Sequence, residues 1–354
     1  MSTRYTNCLS APARSLAAIA TVAGLGIAMM TPSLADNLPP RVMLGAGQPG
    51  TLQNTVASAL ASVASSHSAT TMVVQPYSGA TAFLPLLQSG ELEFAMSPSV
   101  DYALSYLGPD RIDIDGRNPY PHTPDVRLVM AGSPLIAGLI VRDDSDIYSA
   151  HDLAGKRMAG EFPAQLGAFV NAYAHLRSAD LSWDDVDVHA YSGLSESLDA
   201  LVRGSVDATV FGVGAPAVEE ADATAGVRFV DTDCSDDGVA RIQDAVPGYY
   251  TIDIPGGRFP GIDEGICTTA YDLYLTTNAN TDPAVVRAIL EALWENAEEL
   301  ADYHPTLAQW NQEGAVSEGA TVPYHPAAIE FYKEQGVWSE QMDQVQDERL
   351  GSVE

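Results

Sequence analysis

The residues best suited to chemistry lie in turns. The run Gly45-Ala-Gly-Gln-Pro-Gly-Thr-Leu-Gln-Asn54 joins an apolar segment, Arg41-Val-Met-Leu44, to an alanine-rich stretch from Thr51 to Ser66. A strand, a glycine-rich turn and a helix in that order aim unpaired backbone N–H groups and the positive end of a helix dipole at one point. A small polar or anionic ligand is held there without a charged side chain, and Gly47, Gln48, Thr51, Gln53 and Asn54 are its expected contacts. The turn also spells G-x-G-x-x-G. However, Pro49 removes an N–H, and no acidic residue stands about 20 positions on, so a dinucleotide is not expected.

No nucleophile elbow, His-Glu-x-x-His or Walker motif is present, which points away from an enzyme. His67, His122, His175 and His189 are scattered, and the cysteines have no histidines nearby, so neither a metal nor a cofactor is predicted. Asp101 beside Tyr102, and Asp184 beside Asp185, read as helix-start charges. Tyr77, Tyr249 and Tyr250 sit in turns, where aromatic side chains line a cleft or pack half-buried. Glu161 is the acid placed by the pattern in a cleft-facing turn.

The elements that must position these groups alternate. Strands are predicted at residues 41–44, 71–75 and 92–96, and helices at about 51–66, 81–88 and after the turn Ser97-Pro98-Ser99. Alternating β and α implies a parallel sheet with helices on its faces, and ligands sit beyond the C-terminal strand ends. Those turns bring Gln48–Asn54, Tyr77, Ser78, Ala80 and Ser99 to one crevice. Two apolar runs, residues 126–130 and 135–141, follow a Gly/Pro/Asp-rich loop, and the second reads as a strand passing between lobes. A second βα series then offers its own turns, containing Glu161, Gln165, Phe211 and Gly212. Residues 248–265 read as a Tyr/Gly/Pro-rich crossing and residues 268–277 as a returning strand. The remainder is helical, with Asp282 capping a helix over residues 283–300 and another over 327–334.

The expected fold is therefore α/β and two-lobed, with each lobe a mainly parallel sheet flanked by helices and the ligand cleft between them. Residues 1–35 carry Arg4 and Arg14, an apolar stretch from Leu16 to Met30 and the small-x-small site Ser33-Leu-Ala35, the pattern of a cleaved secretory signal peptide. The divisions expected beyond it are 36–134 for lobe I, 135–267 for lobe II and 268–354 for the return to lobe I. No later run is apolar enough for a membrane span. With 17 basic against 47 acidic residues the net charge is −30. That balance excludes nucleic acid and anionic membranes as partners and favours a solvated acidic surface. Once Cys8 leaves with the leader, Cys234 and Cys267 remain, and in an oxidising compartment they pair or stay free; the pattern alone leaves both open.

Taken together, the motifs resemble the TAXI-type solute receptors of tripartite ATP-independent periplasmic (TRAP) transporters. The likeness runs through Gly45–Leu60, Gln75-Pro76 to Leu87-Gln-Ser-Gly-Glu91 and Asp152-Leu-Ala-Gly-Lys-Arg157. It continues at Asp199–Ala208 with Phe211-Gly-Val-Gly-Ala-Pro216, at Ile254-Pro-Gly-Gly-Arg-Phe-Pro-Gly261 and at His325–Gly336. The resemblance implies a monomeric periplasmic receptor, not an enzyme. It closes on a small-molecule solute, an organic acid or amino-acid-like compound, and delivers it to the ion-gradient-driven permease subunits of a TRAP transporter. A secreted two-lobed enzyme and a periplasmic sensor subunit are the alternatives. The first turn carries amides, and the second-lobe turn Gly160-Glu-Phe-Pro-Ala-Gln-Leu-Gly167 carries an acid and a phenyl ring, where the family is rich in Gly, Ser and Thr. A carboxylate beside an anionic ligand costs affinity, so a solute less anionic than a dicarboxylate is expected.

Overall fold

The computed structural model describes residues 38–49, 51–114, 118–163, 165–303 and 305–353. The expected signal peptide lies outside them, as does Gly50. In the first half, β1 (Arg41–Ala46) leads to α1 (Leu52–His67), β2 (Thr71–Pro76), α2 (Ala80–Ser89), β3 (Phe94–Pro98) and α3 (Ser99–Leu107). Thr51 caps α1, its hydroxyl accepting from the Asn54 N–H at 3.1 Å. Val56, Ala57, Leu60, Val63 and Ala64 recur at helical spacing and form its buried face. Gly90 ends α2 at φ 75°, where a side chain would be strained.

The long strand β4 (Val126–Arg142) leads into the second half. There β5 (Arg157–Glu161), α4 (Leu166–Ser178), β6 (Asp187–Ala190), α5 (Leu194–Val202), β7 (Ala208–Gly212) and α6 (Pro216–Ala225) alternate. After β8 (Val227–Val230), α7 (Asp236–Ala245) and β9 (Tyr250–Ile254), the chain returns through β10 (Ile266–Asn278). It ends in α8 (Pro283–Glu295), α9 (Ala297–Tyr303), α10 (Pro326–Glu334) and α11 (Glu340–Gly351).

Among the described residues ten strands share one sheet, ordered β2-β1-β3-β10-β4-β7-β5-β6, with β8 also on β4 and β9 also on β10. The fold is mixed α/β, with two βα halves joined by β4 and β10. β1, β2 and β3 run parallel, and β10 runs against both β3 and β4. β7 runs against β4 and parallel to β5, which is parallel to β6. The two sets of parallel strands therefore run in opposite directions along the sheet.

Packing follows the strand period of two. Leu139 and Val141 enter one buried cluster with Met158 and Leu176, while Ile140 enters another with Leu201 and Phe229. The largest cluster contains Leu44, Phe94 and Met96 of the first half and Phe162, Phe169 and Val170 of the second. The fully buried Trp310 lies against β4, where a Cβ on Gly132 would stand 2.0 Å from its ring.

Several expected elements differ. The runs 126–130 and 135–141 are one strand, because Pro134 sits opposite a bulge at Asp272 that absorbs its missing N–H. Ser97 and Pro98 belong to β3 and form no separate turn. The crossing at 248–265 contains β9, whose pairing with β10 is a tertiary event. The helix expected over 283–300 breaks at Asn296, whose side-chain amide donates back to the Ala292 carbonyl. The boundaries expected at 134/135 and 267/268 fall within β4 and β10, so the halves share strands.

Candidate functional site

The register fixes where the turns meet. Pro98, at the end of β3, pairs with Leu273 of β10. Gly212, at the end of β7, pairs with Ala137, which pairs in turn with Thr269 of β10. The C-terminal ends of strands from opposite halves thus face each other across a few residues of β10. The helices that follow those strands, α1 to α3 and α4 to α6, begin there as well. Their free N–H groups and positive dipole ends converge on the same region.

On the first side the expected residues form a connected set. Asn54 Nδ2 donates to the Gly47 carbonyl at 2.9 Å, and Thr51 Oγ1 donates to the Gln48 carbonyl at 2.7 Å. These bonds close the turn onto α1. Gln53 Nε2 donates to the Met96 carbonyl and lies 3.5 Å from Ser97 Oγ, tying the first turn to the third. Tyr77 packs edge-on against Phe83 at 5.8 Å, next to the start of α2 at Ala80, whose cap Gly79 offers no side-chain acceptor. Ser78 is exposed. Ser99 is buried; its hydroxyl donates to the Gly248 carbonyl at 3.2 Å. It fastens the β9 approach and does not stand open.

On the second side the set is looser. Gln165 Oε1 accepts from the Leu194 N–H at 2.7 Å, so this side chain supplies the acceptor that Gly193 cannot give α5. Glu161 ends β5 with an exposed side chain, and its carbonyl accepts from the Tyr191 N–H at 2.9 Å. Phe211 is buried in the second-half core, and Gly212 has open space where a Cβ would stand. Behind them Trp183 stacks with Phe169 and Tyr173, ring centres 5.3 and 5.7 Å away. Cys234 and Cys267 are disulfide-bonded, joining the segment before α7 to the start of β10.

Asp101, which reads in the sequence as a helix-start charge, does lie in the first turn of α3. Its position in space is different in kind. It is buried, with Ser97 Oγ donating to Oδ2 at 2.5 Å and Tyr120 Oη donating to Oδ1 at 2.5 Å. Burial pushes its carboxyl above the usual range, and the two hydroxyl donors pull it back in part. Asp272 of β10 accepts from Tyr250 Oη at 2.8 Å and is likewise raised by burial. His175 is buried between Thr232, 2.9 Å from Nδ1, and Thr269, 3.4 Å from Nε2, and burial pushes it down to about 4. No signal in the sequence marks the burial of Asp101 or His175, because Tyr120 stands 19 residues from the one and Thr232 and Thr269 stand 57 and 94 residues from the other.

Residues 44–336 match the family model described as the NMT1-like family. The chain belongs to the NMT1-like family. Among solved structures, this NMT1-like chain is similar to a TctC solute binding protein from Polaromonas, with 13% identity, TM-score 0.47, and 89% of this chain and 98% of that chain covered. It is also similar to BugD, a periplasmic binding protein, with 14% identity, TM-score 0.46, and 89% and 99% covered. The periplasmic aliphatic sulphonate binding protein SsuA from Escherichia coli has 14% identity, TM-score 0.44, and 87% and 92% covered.

Two surface cavities lie elsewhere in this NMT1-like chain, one of about 570 Å³ beside Pro326 and Lys333 and one of about 350 Å³ beside Gln88 and Asn278. Neither is lined by any of the expected ligand residues. Among the described residues no group of three or more His, Cys, Asp or Glu side chains is arranged to hold a metal ion, and no helix is long and apolar enough to cross a membrane.

Proposed function

We propose that this protein is an extracytoplasmic solute receptor. It captures a small polar solute, an organic acid or amino-acid-like compound, between its two halves and hands it to a membrane permease of the TRAP type. The observation that carries the reading is the opposed register at Pro98–Leu273 and Ala137–Gly212, which sets the strand ends and helix starts of both halves against one another. Contacts from both halves to one solute favour the closed arrangement over the open one, which is how binding becomes a signal to a permease. The ligand residues are Gly47, Gln48, Thr51, Gln53, Asn54, Tyr77, Ser78 and Ala80 on one side, with Glu161, Gln165 and Gly212 on the other. The same-family match and the TAXI-type sequence pattern support the transport reading, and the leader pattern supports export.

Native mass spectrometry of the purified mature protein, followed by thermal shift against organic acids, amino acids and amines, tests it. A saturating solute at about 100 times Kd stabilises by roughly 2.7 kcal/mol. A retained or stabilising solute, released unchanged, supports a receptor. A solute converted on release makes the protein an enzyme, and silence across all classes removes the receptor reading.

A further inference from the structure

The segments that meet at the strand ends, residues 46–54, 76–80, 97–101, 161–167, 190–194 and 211–216, contain neither lysine nor arginine. Selectivity there falls to neutral groups of fixed direction, and in the first turn the backbone fixes them. Gln53 Nε2 donates to the Met96 carbonyl. A carbonyl only accepts, so the amide cannot be turned round: its nitrogen faces β3 and its oxygen faces the other way. That oxygen, Oε1, stands over Gly47, where a Cβ would lie 2.6 Å from it. A side chain at 47 would push the amide aside.

Gln53 Nε2 also lies 3.5 Å from Ser97 Oγ. Ser97 gives its own hydrogen to Asp101 at 2.5 Å, so its oxygen is open to accept. Gln53 Nε2 is thus directed into the protein, and Oε1 is what the side chain offers a solute. Asn54 is fixed from the same glycine. Its Nδ2 donates to the Gly47 carbonyl at 2.9 Å, which leaves Oδ1 and one amide hydrogen. Thr51 offers neither, because its hydroxyl donates to the Gln48 carbonyl at 2.7 Å and accepts the Asn54 N–H at 3.1 Å. Among the described residues no donor reaches Gln53 Oε1, and the oxygen is not sealed from solvent. Gln53 and Asn54 are half-buried, while Gln48 and Pro49 on the same turn are exposed. Around Gly47 the turn therefore presents one fixed acceptor beside one remaining donor.

We propose that Gln53 and Asn54 select a solute bearing a neutral primary carboxamide. This rests on the receptor reading and narrows it. The solute N–H donates to Gln53 Oε1, and its C=O accepts the remaining Asn54 hydrogen. An ionised carboxylate has no hydrogen for Oε1 and sets its own oxygens against it, with no lysine or arginine in the turn to offset the charge. A site built to pair with a hydrogen-bonding group rejects an analogue that lacks it. An N,N-dimethylated amide fails for the same want of a hydrogen.

Calorimetry with matched probes tests the assignment: succinamate and glutaramate, each against its dicarboxylate and against its N,N-dimethyl amide. We expect at least one primary amide to bind, and both of its partners to bind more weakly by about 30-fold or more. Gln53→Met, of similar length and without either polar atom, should bring that ratio to within about threefold of one, with an unchanged circular dichroism spectrum. Asn54→Leu should lower the ratio about tenfold and serves if Gln53→Met does not fold. A purely structural role would weaken amide and dicarboxylate alike and leave the ratio unchanged, and that result overturns the assignment. Equal or tighter binding of a dicarboxylate or a dimethyl amide by the wild type does the same. If the probes are silent while a solute without a carboxamide binds, the assignment falls and the receptor stands. If no solute of any class binds, both fall.

Discussion

Ser97 donates its hydroxyl hydrogen to Asp101 at 2.5 Å, one turn of chain apart, while Gln53 reaches the same hydroxyl from α1 at 3.5 Å. A residue expected to touch solute is thus coupled to one that looked merely electrostatic. Asp101 completes the line through Tyr120 on its other oxygen.

Burial raises Asp101, so the folded state holds its proton more tightly than the unfolded chain. Its favourable contribution is complete below the unfolded carboxylate range and is lost as pH rises through the folded value. Asp101→Asn removes that loss. We expect its melting temperature to equal or exceed that of the wild type near neutral pH and the advantage to vanish in acid. Differential scanning calorimetry across pH, without solute, checks this; a variant less stable at every pH would contradict it.

His175 has the opposite sign. Its folded value, about 4, lies below the ordinary imidazole value of 6.5, so neutral imidazole is favoured in the fold. Stability is full above pH 6.5 and falls as pH drops towards 4. A shift of this size corresponds to about 3 kcal/mol. His175→Gln should flatten that acid limb in urea unfolding measured between neutral pH and the acid end.

The disulfide between Cys234 and Cys267 closes a 33-residue separation. In the chain-entropy account such a loop stabilises by roughly 3–4 kcal/mol. Reduction, or Cys267→Ser with Cys234→Ser, should lower the urea midpoint accordingly, with little change in far-ultraviolet circular dichroism.

Gly132 lies where β4 passes between the halves, and a Cβ there would stand 2.0 Å from the Trp310 ring. Trp310 is fully buried, so the ring has little room to yield. Gly132→Ala should destabilise by about 1–3 kcal/mol, the usual range for overpacking. An unchanged melting temperature would mean that the ring moves freely.

Gln165 accepts from the Leu194 N–H at the start of α5. Gln165→Ala should cost about 1 kcal/mol, as for a lost helix cap. A larger fall in solute affinity than in stability would assign it a direct contact as well.

Much of the architecture was legible because its causes are local. Thr51 caps α1 through its own turn, and Asp282 followed by Pro283 starts α8 by side-chain and ring geometry alone. Alternating βα segments called for parallel strands with turns at one end, and β1, β2 and β3 are parallel. The unity of β4 was not legible. Ser133-Pro134 reads as a break, and only the bulge on β10 makes room for it.

The sequence by itself determined the alternation, the turns rich in N–H groups, the absence of a basic residue from them and the acidic surface, since each depends on residue type and spacing along a few residues. The tertiary structure decided that turns from two halves face one another across β10, that Cys234 meets Cys267, and that Asp101 is buried beneath Tyr120, 19 residues further on. The reason is physical: burial and pairing are set by segments far apart in the chain, and a carboxylate's chemistry follows from what covers it.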